Sequence, residues 1–253
     1  MDRSGVNWIL TPDQFALAWE RTVGDRIPYP LAVRLSARDS VERTAQLPAL
    51  RHWCDTTLDA DLEAALRVLA GPEVSVAAFG QDGEGAPTVR VLGASAGQIA
   101  VVATQRAAAR PDRGGELRIT VATTTSLPVR VVSALPAVPA GAGERLRAPR
   151  AEVAVDSRDR VTVPVSGPAV PTRIRKRLKQ QRDGIGQIVV SVHRAAGAKP
   201  FGVLCWVDIA GDGRYAVHTG KDVEVAGVGA EGFTNALRPM VAAAARAVAY
   251  AER

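Results

Sequence analysis

The chain has 253 residues, of which 47% are apolar and 23% charged, with a net charge of +6. That balance belongs to a folded globular protein and excludes a disordered one, and no apolar run approaches the ~20 residues needed to cross a bilayer. Two cysteines, Cys54 and Cys205, are too few for a disulfide scaffold, and Met1 to Leu10 lacks the pattern of a secretory signal, so a reduced, cytoplasmic protein is expected.

Val6 to Leu10 reads as a short strand. Thr11, Pro12 and Gln14 then predict a helix start. Thr11 can cap, Pro12 suits the first helical position, and Gln14 can reach back to the Thr11 amide. Phe15, Trp19 and Val23 give this helix one apolar face, and Pro28-Tyr29-Pro30 ends the element. Ser40 to Cys54 predicts a second helix, interrupted or restarted near Pro48. Asp59 caps a third through Ala70, with Leu62, Leu66 and Leu69 on one face, and Gly71-Pro72 stops it. Strands are predicted from Val74 to Phe79, Thr88 to Leu92, Ile99 to Thr104 and Leu117 to Ala122. A loop rich in Gly and acid, Gly80 to Pro87, joins the first two. A short helix from Leu127 to Leu135 closes this half.

Pro136 to Pro149 is rich in Ala, Pro and Gly and reads as a linker or long loop. A strand is expected near Val153. Thr172 to Arg182 predicts a basic helix with Ile174 and Leu178 facing inward. Six cations stand there beside one acid, Asp183, so five of the six net positive charges sit in one segment. A second set of strands follows at Gly186 to His193, Phe201 to Asp208, Arg214 to Thr219 and Val223 to Ala226. The final helix carries Phe233, Leu237, Met240, Ala244 and Val248 on one stripe, and Pro239 either kinks it or marks its start. The halves, about 1–135 and 151–253, share a plan of antiparallel strands and then a helix. The expected class is therefore α+β in a single domain, each meander covered by helices on one face. Strands and helices do not alternate one by one, which argues against a doubly wound parallel sheet.

Little in the sequence points to catalysis. His52, His193 and His218 are scattered, with none at the i, i+4 spacing of a helical zinc site. His52 and Cys54, two apart on a helix, point to different faces. There is no G-x-S-x-G elbow. Gly227 to Gly232 matches G-x-G-x-x-G, but no strand bearing an acid follows, and the glycines read as a strand-to-helix turn. Asp208 to Gly213 hints at a calcium loop, yet Ala210 and Thr219 stand where ligands are required, and a hairpin turn fits better. No catalytic, metal or cofactor site is expected. The basic helix offers phosphate contacts or a solvated face, and a mainly solvated face is expected; without interleaved aromatics it is no stacking platform.

Several stretches, in order, carry a family likeness: Trp8-Ile9-Leu10-Thr11-Pro12 through Trp19-Glu20, Ile27-Pro28-Tyr29-Pro30-Leu31, Val41-Glu42-Arg43, and the Leu-rich helix ending in Gly71-Pro72-Glu73-Val74. Nearer the C-terminus stand Gly186-Gln187-Ile188, Trp206-Val207-Asp208 and Gly213-Arg214-Tyr215. In these the chain resembles the EspG family, cytosolic chaperones of type VII (ESX) secretion in actinobacteria. Residues from about Ala107 to Pro171 carry little of the likeness. The resemblance implies a quasi-twofold, largely antiparallel central sheet with flanking helices. It implies binding to the tip of a PPE-like protein within a PE–PPE heterodimer, with no catalysis, no cofactor and no membrane insertion. Whether the chain is a monomer or a dimer stays open.

A partner with an apolar helical tip needs an apolar receiving surface and an adaptable loop. The candidate partner-binding residues are Gln81, Asp82 and Glu84 in the first loop, with Phe201, Val203 and Met240 from the second half. The alternative function is a nucleic-acid-binding accessory protein using the basic helix, residues 172–182.

Overall fold

A computed structural model describes residues 7–24, 26–108, 114–154 and 168–251. Its first half runs β1 (Asn7–Leu10), α1 (Pro12–Thr22), α2 (Ser40–Thr57), α3 (Ala60–Ala70), β2 (Val74–Asp82), β3 (Pro87–Ala96), β4 (Ile99–Ala107), β5 (Gly114–Thr123) and α4 (Leu127–Ser133). The second runs β6 (Leu146–Pro149), α5 (Arg150–Ala154), α6 (Val170–Leu178), β7 (Arg182–Arg194), β8 (Gly197–Ile209), β9 (Gly213–Thr219), β10 (Asp222–Gly227) and α7 (Ala230–Ala251). Val6, expected to open the first strand, lies outside the described residues.

Local chemistry sets the helix starts. The Thr11 side chain accepts from the Gln14 amide, and the Gln14 side chain accepts from the Thr11 amide, which completes the capping box. Asp39 and Asp59 cap α2 and α3 through their carboxylates alone, which accept from the Glu42 and Leu62 amides. α2 continues through Pro48 at the cost of one intrahelical bond, where an interruption was expected.

All ten strands form one antiparallel sheet in the order β1-β5-β4-β3-β2-β7-β8-β9-β10-β6. The order is its own mirror in plan. Each half is a four-strand meander, and the short strand before it (β1 or β6) returns to pair with the last strand of that meander. The halves join where β2 pairs with β7, from Val74↔Val192 to Asp82↔Gly184. The expected quasi-twofold sheet of two meanders is thus present.

Three apolar clusters hold helices to this sheet. The largest lies on one face, where Leu127, Val131 and Val132 of α4 and Phe233, Leu237, Val241 and Ala244 of α7 cover Val76, Ala78, Ile188, Val190, Leu204 and Trp206. On the other face α1 and α3 bury Phe15, Trp19, Leu62 and Leu66 against Leu92, Ala94, Val101 and Leu117. At the far end of that same face Ile174 of α6 packs on Val207, Ile209, Tyr215 and Val225. Helices therefore cover both faces, not one as expected, because strand residues alternate between the two clusters. Val241, not Met240, continues the buried stripe of α7.

Further expectations are corrected. The segment around Val153 is helix α5, not a strand. The stretch from Pro136 to Pro149 holds β6, which pairs with β10. Ahead of it, residues 139–143 are tied down by backbone bonds with Arg214 and by the Gly143 N–H, which donates to the Tyr215 hydroxyl (2.7 Å). The basic helix spans Val170–Leu178, and Arg182 belongs to β7.

Candidate protein-binding face

The face that carries α1, α3 and α6 is covered at its ends and open in its middle. Its uncovered floor is the side of β2, β7 and β8 that does not meet α4 and α7. Along β2, Val74, Val76 and Ala78 go to the α7 cluster, so Ser75, Ala77 and Phe79 point to the open side. The same alternation puts Gln187, Val189 and Ser191 of β7, and Val203 and Cys205 of β8, on that side. The β2 and β7 residues and Cys205 are half-buried, and Val203 is 39% exposed. Phe79, Val189 and Val203 thus stay partly accessible in the middle of the ten-strand sheet.

A cavity of about 450 Å³ opens in this floor, with Tyr29, Phe79, Arg90, Ile185, Gln187 and Cys205 among its lining. Tyr29 stands at its rim, 63% exposed, with its ring edge-on to Phe79 at 4.8 Å. The Arg90 guanidinium donates to the Pro30 carbonyl (3.2 Å), which fixes the segment bearing Tyr29 against β3. Partial burial raises the pKa of the Tyr29 phenol, with nearby Arg90 opposing it. Burial also pushes the Cys205 thiol up, which keeps it protonated and a poor nucleophile. Farther along, His193 Nε2 and the Ser75 hydroxyl lie 2.8 Å apart, and burial lowers the His193 pKa. Among the described residues no three of His, Cys, Asp and Glu come together as a metal site. What the face offers is apolar surface with a few polar groups set into it.

The sequence-derived site residues fall in three places. Gln81 and Asp82 are strand residues of β2, paired with Ile185 and Gly184, so the expected loop from Gly80 to Pro87 shrinks to residues 83–86. Asp82 shapes that turn by accepting from the Glu84 and Ala86 amides (3.1 and 3.0 Å), and Glu84 is exposed at its tip. Val203 stands on the open floor. Phe201, 43% exposed, is the extra residue of a bulge between Gly202 and Pro200. Met240 belongs to the opposite face, where it packs over Gly202; a Cβ on that glycine would lie 2.4 Å from the Met240 methyl. The six do not form one surface. Phe79, Ile185, Gln187, Val189 and Tyr29 were not among the site residues expected from sequence. The signal for the strand members was a run apolar on both faces, which also describes an ordinary buried strand.

Residues that stood out as motifs have internal work. Gly80 and Gly186 pair across β2 and β7, and the Trp206 indole lies on both. A Cβ on either would come within 2.7 or 2.2 Å of that ring, so only glycine fits. Arg214 donates through Nε and Nη2 to both carboxylate oxygens of Asp208 (2.7 and 2.8 Å), and both residues are buried. The Tyr215 hydroxyl donates to Asp212 (2.5 Å), which lowers the pKa of that half-buried residue's carboxyl, helped by the Ala142 amide. Gly227 ends β10 before α7, as the reading of a strand-to-helix turn required. On α6, Arg175 donates to the carbonyls of Glu152 and Val153. Arg177 stacks on Tyr215 and donates to the Glu144 carbonyl, and Arg173 pairs with the Glu144 carboxylate. These three arginines serve the fold, and Lys176 and Lys179 are exposed. The expectation of a mainly solvated basic helix is corrected to that extent.

The site is thus a helix-flanked, partly uncovered apolar strip in the middle of an antiparallel sheet. The sequence model of the EspG family matches residues 11–249, and the chain belongs to that family. Among solved structures it is similar to EspG5, the Mycobacterium tuberculosis type VII secretion system chaperone, determined in complex with the PE25–PPE41 dimer. That likeness has a TM-score of 0.60 and 15% identity, covering 91% of this chain and 94% of that one, and is a likeness of fold. A comparison with curated protein sequences finds no match. No helix among the described residues is long and apolar enough to cross a membrane.

Proposed function

We propose that this protein is a non-enzymatic cytoplasmic chaperone of type VII secretion that holds a PPE-like protein, within a PE–PPE pair, on the open middle of its sheet. The observation that carries the reading is the uncovered apolar strip of Phe79, Ile185, Val189 and Val203 between α1–α3 and α6. Covering it with the apolar tip of a helical partner removes two exposed surfaces from water at once. Membership of the EspG family and the complex of EspG5 with PE25–PPE41 support the choice of partner. The cavity beside Tyr29 gives a side chain of that tip a place to enter. The nucleic-acid reading of α6 is weakened because Arg173, Arg175 and Arg177 are already engaged within the protein.

The test is co-expression with a PPE-like protein encoded at the same locus, followed by titration of the purified pair. Val203→Glu or Phe79→Glu is expected to weaken binding tenfold or more, about 1.4 kcal/mol. Val129→Glu, on exposed α4 of the opposite face, is expected to leave it unchanged. Equal binding by all three variants sinks the assignment of this face.

A further inference from the structure

The strip between α1–α3 and α6 is mostly apolar, yet the residue at its centre is not. Gln187 pairs across the ladder with Phe79 of β2 on one side and Cys205 of β8 on the other. Along β7 its neighbours on the same side are Ile185 and Val189. Phe79, Ile185 and Val189 have no hydrogen-bonding side chain, and the Cys205 thiol is a weak donor. The Gln187 carboxamide, half-buried, lines the cavity beside Tyr29 among these groups.

Other polar side chains on this face have internal partners. The Ser75 hydroxyl and His193 Nε2 have each other, and the Arg90 guanidinium donates to the Pro30 carbonyl. A second glutamine makes the sharper contrast. Gln105 of β4 lies on the same side as Val101 and Ala103, beneath the α1–α3 cluster, and is buried. Its Oε1 accepts from the Ala32 N–H (2.8 Å) and its Nε2 donates to the Ala32 carbonyl (3.0 Å). One amide thus takes both main-chain groups of one residue. For the Gln187 side chain no hydrogen bond is found among the described residues.

That arrangement costs nothing while water reaches the amide. Under an apolar partner the water is expelled, and a buried amide without a partner is unfavourable. A helical tip brings the complementary problem. The first four N–H groups and the last four carbonyls of a helix have no partner within it, and a tip is where helices end. A carboxamide has two donor hydrogens and an acceptor oxygen, so it can meet either kind.

We propose that Gln187 is a specificity residue of this face, whose carboxamide hydrogen-bonds a main-chain group at a helix end in the tip of the PPE-like partner. Gln105 and Ala32 show the same pairing inside the protein. A partner that sets an apolar side chain at this point leaves the amide buried and unpaired, so the bond discriminates between partners as well as seating one. This rests on the partner reading above and adds the group that reads the tip.

The probe is the PPE-like protein from the same locus, purified within its PE–PPE pair. Gln187→Met keeps the length of the side chain and removes its hydrogen-bonding groups, and Gln187→Leu does so with a different shape. Binding by apolar burial alone predicts that both variants bind as tightly as the parent or tighter. The proposal predicts that both bind about tenfold more weakly, about 1.4 kcal/mol. Their Tm is expected to stay at or above that of the parent, because no bond inside the protein is lost. Weaker binding accompanied by a lower Tm in both variants would make Gln187 a structural residue and overturn its role in recognition. Alanine substitutions at polar side chains of the partner tip, each combined with Gln187→Met, show which group is met. The loss caused by Gln187→Met is expected to persist in every combination. If one alanine abolishes it, the bond goes to that side chain and the main-chain assignment falls. Equal or tighter binding by the Gln187 variants, with Val203→Glu still weak, overturns the role of Gln187 alone. A parent protein that binds no PPE-like protein overturns the proposed function with it.

Discussion

Replacing Asp208 by Asn tests whether the Trp206-Val207-Asp208 and Gly213-Arg214-Tyr215 motifs hold the fold or touch the partner. The substitution keeps the shape and removes the charge that faces Arg214. Arg214 is 4% exposed, its guanidinium is bidentate on Asp208, and it lies 5.6 Å from the centre of the Trp206 ring. An arginine left buried without its counter-ion has no water to turn to, and breaking such a pair costs about 3–5 kcal/mol. For a chain of this size each kcal/mol moves Tm by about 2–4 °C, so a fall of roughly 6–20 °C is expected in calorimetry. Urea unfolding is expected to show a lower midpoint with an unchanged slope. The double change Asp208→Leu with Arg214→Met should recover most of the loss, because no buried charge then remains. Partner affinity at low temperature, where the variant is still folded, is expected to stay within twofold of the parent. A Tm drop below about 3 °C, or a large loss of affinity with full stability, would refute this account.

Other outcomes follow from the same structure. Gly186→Val should cost roughly 1–3 kcal/mol by overpacking, since Trp206 must leave its seat, and Trp fluorescence should report the movement. His193 has a folded pKa below its ordinary value, so unfolding takes up a proton as pH falls from about 6.5 toward that folded pKa. Stability is full above that window and declines through it; His193→Gln should flatten the profile, and an unchanged profile would show that His193 is not its source. Arg175→Gln should cost about 1 kcal/mol through lost bonds to the Glu152 and Val153 carbonyls. Lys176→Gln with Lys179→Gln should stay within about 0.5 kcal/mol, as measured by urea unfolding.

A shortened first loop, with Gln81 to Gly85 replaced by Asn-Gly, would not be a simple loop deletion. It would remove the Gln81↔Ile185 and Asp82↔Gly184 pairs at the centre of the sheet. Val203→Glu and Phe79→Glu address the proposed binding face without that damage.

Helix starts and stops were legible because they are written within a few residues. The capping box at Thr11, the Asp59 cap and the stop at Gly71-Pro72 all involve neighbours in sequence. The meander strands were legible for the same reason, through their turns, and so was the repeated plan of the two halves. Boundaries were less so: β2 runs on to Asp82 because β7 pairs with it there, a contact between residues about a hundred apart. β6 looked like linker because a four-residue edge strand draws its stability from β10, not from its own composition. The proposed binding face was the least legible feature. Ile188 and Val189 are neighbours of the same chemistry on β7, yet Ile188 is buried beneath α7 and Val189 faces the open strip. Alternation along a strand tells which residues share a side. Which side receives a helix depends on where α1, α3, α6 and α7 pack, and only the tertiary structure decides that.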